Sequence, residues 1–274
     1  MKVVFYWILA VLITFSAIIY QRKTGPTHDK KVKVTIDNQE YRLKLIRSHG
    51  GKTDCKIELT IPDQNVSGVL TYKKYPTKED WTYVEMERQS DNLIGHLPNL
   101  PPAGKYEYKI TLKKGEQNFD LNEGKPILIR FKGDVPGSIL IPHIIFIFLA
   151  MFLGNAAGIL AIFKHQKYRL YTNLTVIFLF IGGMIMGPWV QWYAFGEAWA
   201  GIPFAWDLTD NKTLLAFIFW LLAFFMNRKK ERPVYVIIAS IVMLIVYSIP
   251  HSMYGSQLDP ETGKVIQGWI QLYM

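Results

Sequence analysis

The sequence has little cysteine and lacks the short motifs that mark many enzymes. Cys55 is the one cysteine among 274 residues. A single thiol excludes an intrachain disulfide and a thiolate metal cluster within one copy of the chain. No motif for nucleotide binding, phosphoryl transfer or hydrolysis is present. These absences favour a non-catalytic role and leave the cellular compartment open.

Apolar residues are concentrated in five segments that hold almost no charge. Because about 20 apolar residues in a helix span a bilayer, the pattern predicts five transmembrane helices. No Asp, Glu, Lys or Arg lies deep in a segment, which disfavours a solute transporter. The segments are residues 3–20, 137–163, 170–193, 213–226 and 234–249.

Positive charge lies beside the apolar segments. The formal net charge is +9, and much of it falls in residues 164–169 and 228–232. Short basic loops stay on the cytoplasmic side of a membrane and face anionic lipid. We therefore expect the lipid bilayer as a partner and no nucleic acid. This orientation places the N-terminus inside and the C-terminus outside, although Arg22 and Lys23 follow the first segment on its outer side.

These features predict four regions. Residues 1–23 form an N-terminal transmembrane anchor, which is favoured over a cleaved signal peptide because no small-residue cleavage site precedes Gln21. Residues 24–136 form an extracytoplasmic β domain, and residues 137–250 form a four-helix transmembrane bundle. Residues 251–274 form an extracytoplasmic tail.

The charged region after the anchor alternates between apolar and polar residues in short runs. Turn residues such as Asp37-Asn38 and Pro62-Asp63 separate these runs. Seven or eight strands at spacings of about ten residues are typical of an antiparallel, all-β, immunoglobulin-like sandwich. The predicted strands are residues 31–36, 41–46, 55–61, 69–72, 82–86, 93–97, 106–112 and 127–131.

Residues 97–108, Leu-Pro-Asn-Leu-Pro-Pro-Ala-Gly-Lys-Tyr-Glu-Tyr, resemble the late strand of bacterial extracytoplasmic immunoglobulin-like domains. With residues 21–27, 72–76 and 81–88, the chain resembles uncharacterised bacterial inner-membrane proteins that have an N-terminal anchor, such a domain and a C-terminal helical bundle. The resemblance implies a fold and a compartment. It implies no activity.

Two Ile-Pro-His tripeptides end in His143 and His251. At 1.5 Å per helical residue, both histidines lie about 30 Å from the basic loops and thus at one level near the outer surface. Two imidazoles at matched depth could bind haem b, copper or zinc, or contact a quinone. They could equally be interfacial residues with a structural role, so the cofactor remains unknown at this point.

Residues 188–211 contain more aromatic residues than an interfacial belt requires. We interpret the segment as an outer loop that faces the β domain or a partner protein. Asp210 and Asn211 are predicted to cap the following helix. The predicted interface residues are Trp189, Trp192, Trp199, Trp206, Glu197 and Asp207.

Small residues predict where helices approach each other. Gly154 and Gly158 lie in the second apolar segment, and Gly183 and Gly187 lie in the third. A spacing of four residues puts two glycines on one helix face, where a neighbouring backbone can come close. Asn155 is expected to need an interhelical hydrogen bond.

Two function classes remain open from the sequence. The first is a non-catalytic membrane accessory protein, a subunit or assembly partner of a larger bacterial membrane complex, with other membrane or periplasmic proteins as partners. The second is a redox membrane protein that binds haem b or copper, or contacts quinone, at His143 and His251.

Overall fold

The computed structural model describes residues 2–250, 255–260 and 262–267 and divides into two compact units. Described residues of Met1–Pro26 and Val135–Gly255 form a helical unit. Thr27–Asp134 and Ser256–Ile266 form a β unit. This division differs from the predicted β domain, residues 24–136, because part of the predicted tail, Ser256–Ile266, belongs to the β unit.

The β unit contains all eight strands predicted from the sequence and several short ones that were not. Alternation explains the long strands, since buried and exposed residues follow each other from Cys55 to Thr60. The strands are β1 (Lys30–Ile36), β2 (Gln39–Leu45), β3 (Ser48–Gly50), β4 (Cys55–Thr60), β5 (Ser67–Lys74), β6 (Thr82–Glu85), β7 (Glu87–Gln89), β8 (Asn92–Leu97), β9 (Lys105–Lys114), β10 (Gln117–Asp120), β11 (Ile127–Lys132), β12 (Ser256–Leu258) and β13 (Val265–Gln267).

The largest sheet is built around β9. Its strand order is β3-β11-β9-β5-β6, with β10 also paired to β9. A second sheet has the order β4-β8-β7, and β1 pairs with β2. The pair β3–β11 is parallel, which departs from the predicted all-antiparallel arrangement. Side chains from these sheets share one core, which includes Ile36, Leu45, Ile57, Leu70 and Tyr108.

The hairpin formed by β12 and β13 completes the β unit. The Leu258 amide donates to the Ala103 carbonyl at 3.0 Å. Lys105 Nζ donates to Gln257 Oε1 at 2.8 Å, and the Arg130 guanidinium donates to the Ser256 carbonyl. These contacts give residues 256–258 partners far away in sequence, which short-range patterns do not show.

The described part of the helical unit contains five helical runs, which matches the predicted number of helices. They are α1 (Lys2–Thr24); α2 (Gly137–Ile162); α3 (Tyr168–Leu179), which continues through a π-helical segment (Phe180–Met186) into α4 (Gly187–Phe195); α5 (Leu208–Met226); and α6 (Pro233–Ser248). By length and composition, four runs are apolar enough to cross a membrane: Val3–Thr24, Gly137–Ile162, Tyr168–Phe195 and Leu208–Met226. The fifth, Pro233–Ser248, is apolar and shorter.

Helix α2 lies at the centre of this unit and packs against α1, α3 and α6. Its second half is rich in small residues and is almost continuously buried. The expected interhelical bond of Asn155 is present, since its Nδ2 donates to Thr14 Oγ1 of α1 at 2.8 Å. The buried polar groups therefore help to fix α1 on α2.

Candidate functional site

The aromatic segment between α4 and α5 folds as an ordered loop, residues 196–207. Gly196 ends α4 with φ +82°, a left-handed conformation that glycine adopts without strain. The Asp207 amide donates to the Ala200 carbonyl at 2.8 Å, and the Phe204 and Ala205 amides both donate to the Gly201 carbonyl at 3.0 Å. These bonds close the loop into a compact turn.

Asp210 and Asn211 hold this loop against the start of α5. Asp210 Oδ2 accepts from the Ala200 amide at 2.6 Å and from Gln191 Nε2 at 3.0 Å. Asn211 Oδ1 accepts from the Ile202 amide at 2.7 Å. Asp210 is only 6% exposed, and a buried carboxylate is stable only when hydrogen bonds compensate its desolvation. The two residues act as a clamp on the loop.

The prediction that Asp210 and Asn211 cap the helix is wrong, because Asp207 is the N-cap residue. Asp207 Oδ1 accepts from the Thr209 amide at 2.8 Å and from the Asp210 amide at 3.1 Å. Asp207 itself is 4% exposed. It therefore supports the loop from inside, and the sequence pattern could not tell which acidic residue begins the helix.

Glycine at position 201 permits the clamp to close. A Cβ atom at Gly201 would lie 2.8 Å from Asp210 Cβ and 3.0 Å from Asn211 Oδ1. Such contacts are too short for any larger residue without a backbone shift. The sequence analysis missed this requirement, because only the fold brings Gly201 next to Asp210.

The outer side of the loop presents large apolar side chains. Phe204 is 81% exposed and Trp206 is 57% exposed. Trp199 is half-buried, and its Nε1 donates to the Ile202 carbonyl at 3.2 Å. Glu197 is also half-buried, and burial together with the nearby Asp207 charge raises the pKa of its carboxyl. The neighbouring helix α4 adds Trp189 and Trp192, which are both exposed.

His143 lies on α2 next to the π-helical segment. Its Nδ1 atom is 2.8 Å from the Gly182 carbonyl oxygen. Because a carbonyl only accepts, Nδ1 carries the proton and donates, which leaves Nε2 with the lone pair in the neutral ring. A Cβ atom built on Gly187, the first residue of α4, would lie 3.9 Å from His143 Cε1. The structure thus places His143 beside the first residue of α4, the helix that carries Trp189 and Trp192.

His251 lies outside the described residues, so the paired-histidine site stays a prediction. Within the part of the chain that the structure describes, no group of three or more His, Cys, Asp or Glu residues could hold a metal ion. His143 alone supplies one imidazole nitrogen. Ligation of haem or copper would need a second group.

The predicted glycines mark close helix contacts, with one difference. A Cβ atom at Gly154 would lie 2.8 Å from Met243 Sδ of α6. A Cβ atom at Gly158 would lie 2.5 Å from Ser240 Cβ of the same helix. Gly183 and Gly187 both lie beside α2, since their Cβ atoms would be 3.6 Å from Ile147 Cδ1 and 3.9 Å from His143 Cε1, but neither makes as close a contact with α2 as the neighbouring Gly182 does. Gly182, which the sequence analysis did not single out, makes the close approach to α2.

Lys212 is a further buried cation that the sequence analysis missed. Its Nζ atom donates to the Ile249 carbonyl, next to the end of α6, at 2.6 Å, and the residue is 3% exposed. A cation is favourable there because the last carbonyls of a helix carry partial negative charge. Lys212 therefore ties the start of α5, and with it the loop clamp, to the end of α6.

Comparisons with known proteins add little to this description. No protein-family model matches the chain, and no curated protein matches it. One solved structure, of chicken CNTN1 FN1-FN3 domains, is 14% identical over 39% of this chain and 44% of that chain, with a TM-score of 0.24. The chain therefore spans less than half the length of the structure it matches. A likeness of this size carries no argument about fold or activity.

Proposed function

We propose that this chain is a non-catalytic, integral membrane accessory protein, a subunit or assembly partner of a larger bacterial membrane complex. In this proposal, the helical unit lies in the inner membrane and the β unit is an extracytoplasmic immunoglobulin-like sandwich. The four long apolar helices support the membrane location. The basic residues in 164–169 and 228–232 support the orientation, because such loops stay in the cytoplasm.

The observation that carries the proposal is a loop that is held by internal hydrogen bonds and has an apolar outer surface. The loop is fixed by the Asp210 and Asn211 clamp and by the Asp207 cap. It nevertheless leaves Phe204 and Trp206 largely exposed. Aromatic side chains on a pre-organised surface lose little conformational freedom on binding and are typical anchors of protein interfaces.

Contact with lipid headgroups does not explain why the backbone of this loop is held by buried hydrogen bonds. An interfacial tryptophan needs only a position at the level of the lipid headgroups. Here a buried carboxylate is positioned to order the backbone that carries the aromatic residues. The loop surface is therefore proposed to dock another membrane or periplasmic protein.

Site-specific photo-crosslinking in native membranes tests the proposal. A benzophenone amino acid at Phe204 is expected to form a discrete adduct with one protein, and the same protein is expected to co-purify with the chain in mild detergent. The matched control is the same probe at Phe225, which is 56% exposed near the opposite end of α5 and is expected to label lipid. The Asp210→Asn exchange should abolish the Phe204 adduct by releasing the loop. Lipid adducts alone at both positions would refute the proposal.

A further inference from the structure

A cavity lies at the end of the helical unit where α3 begins and α5 ends. Its volume is about 250 Å³. Two of its six lining residues are arginines, and none is acidic, so the cavity suits an anion better than a cation or a neutral molecule. The lining residues are Arg169, Thr172, Asn173, Phe224, Asn227 and Arg228.

Asn227 forms a fixed wall of this cavity. It is 3% exposed, and its Oδ1 accepts from the Tyr168 hydroxyl at 2.8 Å and from the Arg232 amide at 2.7 Å. Its Nδ2 donates to the Ala223 carbonyl at 2.9 Å and to the Arg232 carbonyl at 3.1 Å. These bonds hold the turn after α5, which carries Arg228, in one conformation without help from a ligand.

Arg169 has hydrogen-bond donors that the described protein does not use. Its Nη2 atom donates to the Arg228 carbonyl at 2.9 Å and to the Asn227 carbonyl. Among the described residues, its Nε and Nη1 atoms have no acceptor, and no carboxylate forms an ion pair with Arg169 or Arg228. A guanidinium presents its N–H groups as a planar fork that matches carboxylate and phosphate oxygens. Arg169 is therefore anchored by one nitrogen and can donate to an anion through the other two.

The charge around the cavity also favours an anion. Residues 164–169 and 228–232, which lie at this end of the unit, contain seven Lys or Arg and one acidic residue, Glu231. Basic pockets between helices at the cytoplasmic side of a membrane bundle bind anionic lipid headgroups. The surrounding charge thus attracts an anion, and the cavity offers it a defined position.

Towards the middle of the helices, the surface next to the cavity is apolar. The face of α3 that carries Arg169 and Asn173 continues, at helical spacings of four and three residues, to Ile177 and Phe180, which are 50% and 47% exposed. Phe180 stacks on Phe217 of α5, with ring centroids 5.7 Å apart. A free phosphate makes no use of this surface, whereas the acyl chains of a phospholipid can lie along it.

We propose that this cavity binds the phosphate group of an anionic phospholipid, with Arg169 as hydrogen-bond donor, Arg228 as a second cation and the acyl chains along Ile177 and Phe180. Binding at one position goes beyond the general attraction of basic loops for anionic lipid. The proposal rests on the membrane location of the helical unit and not on the loop surface, so the photo-crosslinking result leaves it unaffected.

Native mass spectrometry of the full chain in neutral detergent tests the inference, because it counts bound lipids and gives a Kd for each. With dioleoyl phosphatidylglycerol as the probe, one saturable site is expected. Dioleoyl phosphatidylcholine should bind at least about fivefold more weakly, since the arginines repel its choline group and a loss of about 1 kcal/mol is about fivefold in Kd. Millimolar inorganic phosphate should not displace the lipid, because it lacks acyl chains.

Arg228→Gln should weaken phosphatidylglycerol binding about tenfold, because a hydrogen bond between charged groups of about 1.5 kcal/mol is about tenfold in Kd. The matched control is Lys230→Gln, which removes one charge from an exposed residue of the same loop that does not line the cavity. It should weaken binding by less than about twofold, since salt screens an exposed charge outside the site. Arg169→Lys keeps the charge but loses the planar fork, and it should weaken binding about fivefold in a folded protein.

The inference is overturned if phosphatidylglycerol shows no saturable site, if phosphatidylcholine binds as tightly, or if neither arginine variant changes Kd. An equal effect of Lys230→Gln and Arg228→Gln would also overturn it, because the attraction would then be diffuse. Displacement of the lipid by millimolar phosphate would show that the cavity holds a free anion instead of a phospholipid.

Discussion

Replacing Gly158 by alanine should separate α2 from α6 and lower the stability of the helical unit. The added Cβ atom would lie 2.3 Å from Ser240 Oγ and 2.5 Å from Ser240 Cβ. Ordinary contact begins at about 3.4 Å, so the helices must move apart by about 1 Å or distort. Overpacking of this kind typically costs about 1 to 3 kcal/mol. We expect a loss of about 2 kcal/mol in the free energy of unfolding.

A second substitution on the facing helix tests the cause. Ser240→Gly removes both atoms that the new methyl group would meet, at a cost of about 1 kcal/mol for glycine in a helix. Gly158→Ala with Ser240→Gly should then be no less stable than Ser240→Gly alone. The double-mutant cycle should give a coupling energy of about 2 kcal/mol.

Titration with SDS in mixed micelles measures these free energies through tryptophan fluorescence, to which the fully buried Trp220 contributes. Gly137→Ala is the matched control on the same helix, because its Cβ atom would meet only Ile141 Cδ1 at 3.8 Å. The reasoning is refuted if Gly158→Ala is as stable as Gly137→Ala, or if Ser240→Gly fails to compensate.

Three further predictions concern Asp210, Lys105 and Cys55. Asp210→Asn should lower the free energy that holds the loop against α5 by about 2 kcal/mol, because hydrogen bonds to a charged group are worth about 1.5 to 3 kcal/mol. Hydrogen exchange of the amides in residues 196–207 should then become about thirtyfold faster. Burial and the neighbouring Arg130 lower the pKa of Lys105 to about 8, so the β unit should gain stability as pH rises from 8 towards 10.5. Lys105→Met should remove that rise and stabilise the β unit at pH 7 by up to about 3 kcal/mol, as measured by hydrogen exchange of β9 peptides. Burial raises the pKa of the Cys55 thiol to about 12, so N-ethylmaleimide should label it at pH 8 only after denaturation.

The sign of the Lys105 effect follows from proton binding. Between the pKa of the folded chain and the higher pKa of the unfolded chain, the unfolded chain binds more protons, so stability increases with pH. A flat or falling profile would contradict the burial of a charged Lys105. For the loop, unchanged exchange in Asp210→Asn would show that the clamp does not hold it. Rapid labelling of Cys55 in the native protein would show that β4 is open.

The sequence predicts the elements of this fold well, because each depends on its own local pattern. Alternating burial along Cys55–Thr60 is visible as period two in the sequence. Helices α1 and α2 are visible as long apolar runs. The close contacts of Gly154 and Gly158 follow from small residues four apart on one helix face.

The missed features depend on contacts between distant parts of the chain. Ser256–Leu258 has only three residues, and its place in the β unit rests on Ala103, Lys105 and Arg130. Asp210 was mistaken for the cap because either aspartate can cap a helix, and only the bonds of Asp207 Oδ1 to the Thr209 and Asp210 amides show where α5 begins. Lys212 was not singled out because its acceptor, the Ile249 carbonyl, lies 37 residues away in the sequence, just after α6.

The π-helical segment Phe180–Met186 takes up one residue more than a regular α-helix would hold over the same turns. In this segment the Gly187 amide donates to Gly182, so the turn contains one residue more than an α-helical turn. In a regular α-helix an added residue would rotate everything beyond it by about 100°, whereas the wider turn absorbs it. Deleting one residue within 180–186 should therefore let the run continue as a regular α-helix with Trp189 and Trp192 on their present side. The same deletion would remove the wide turn that contains Gly182, whose carbonyl is bonded to His143, so a single deletion would separate the histidine contact from the direction of the two tryptophans.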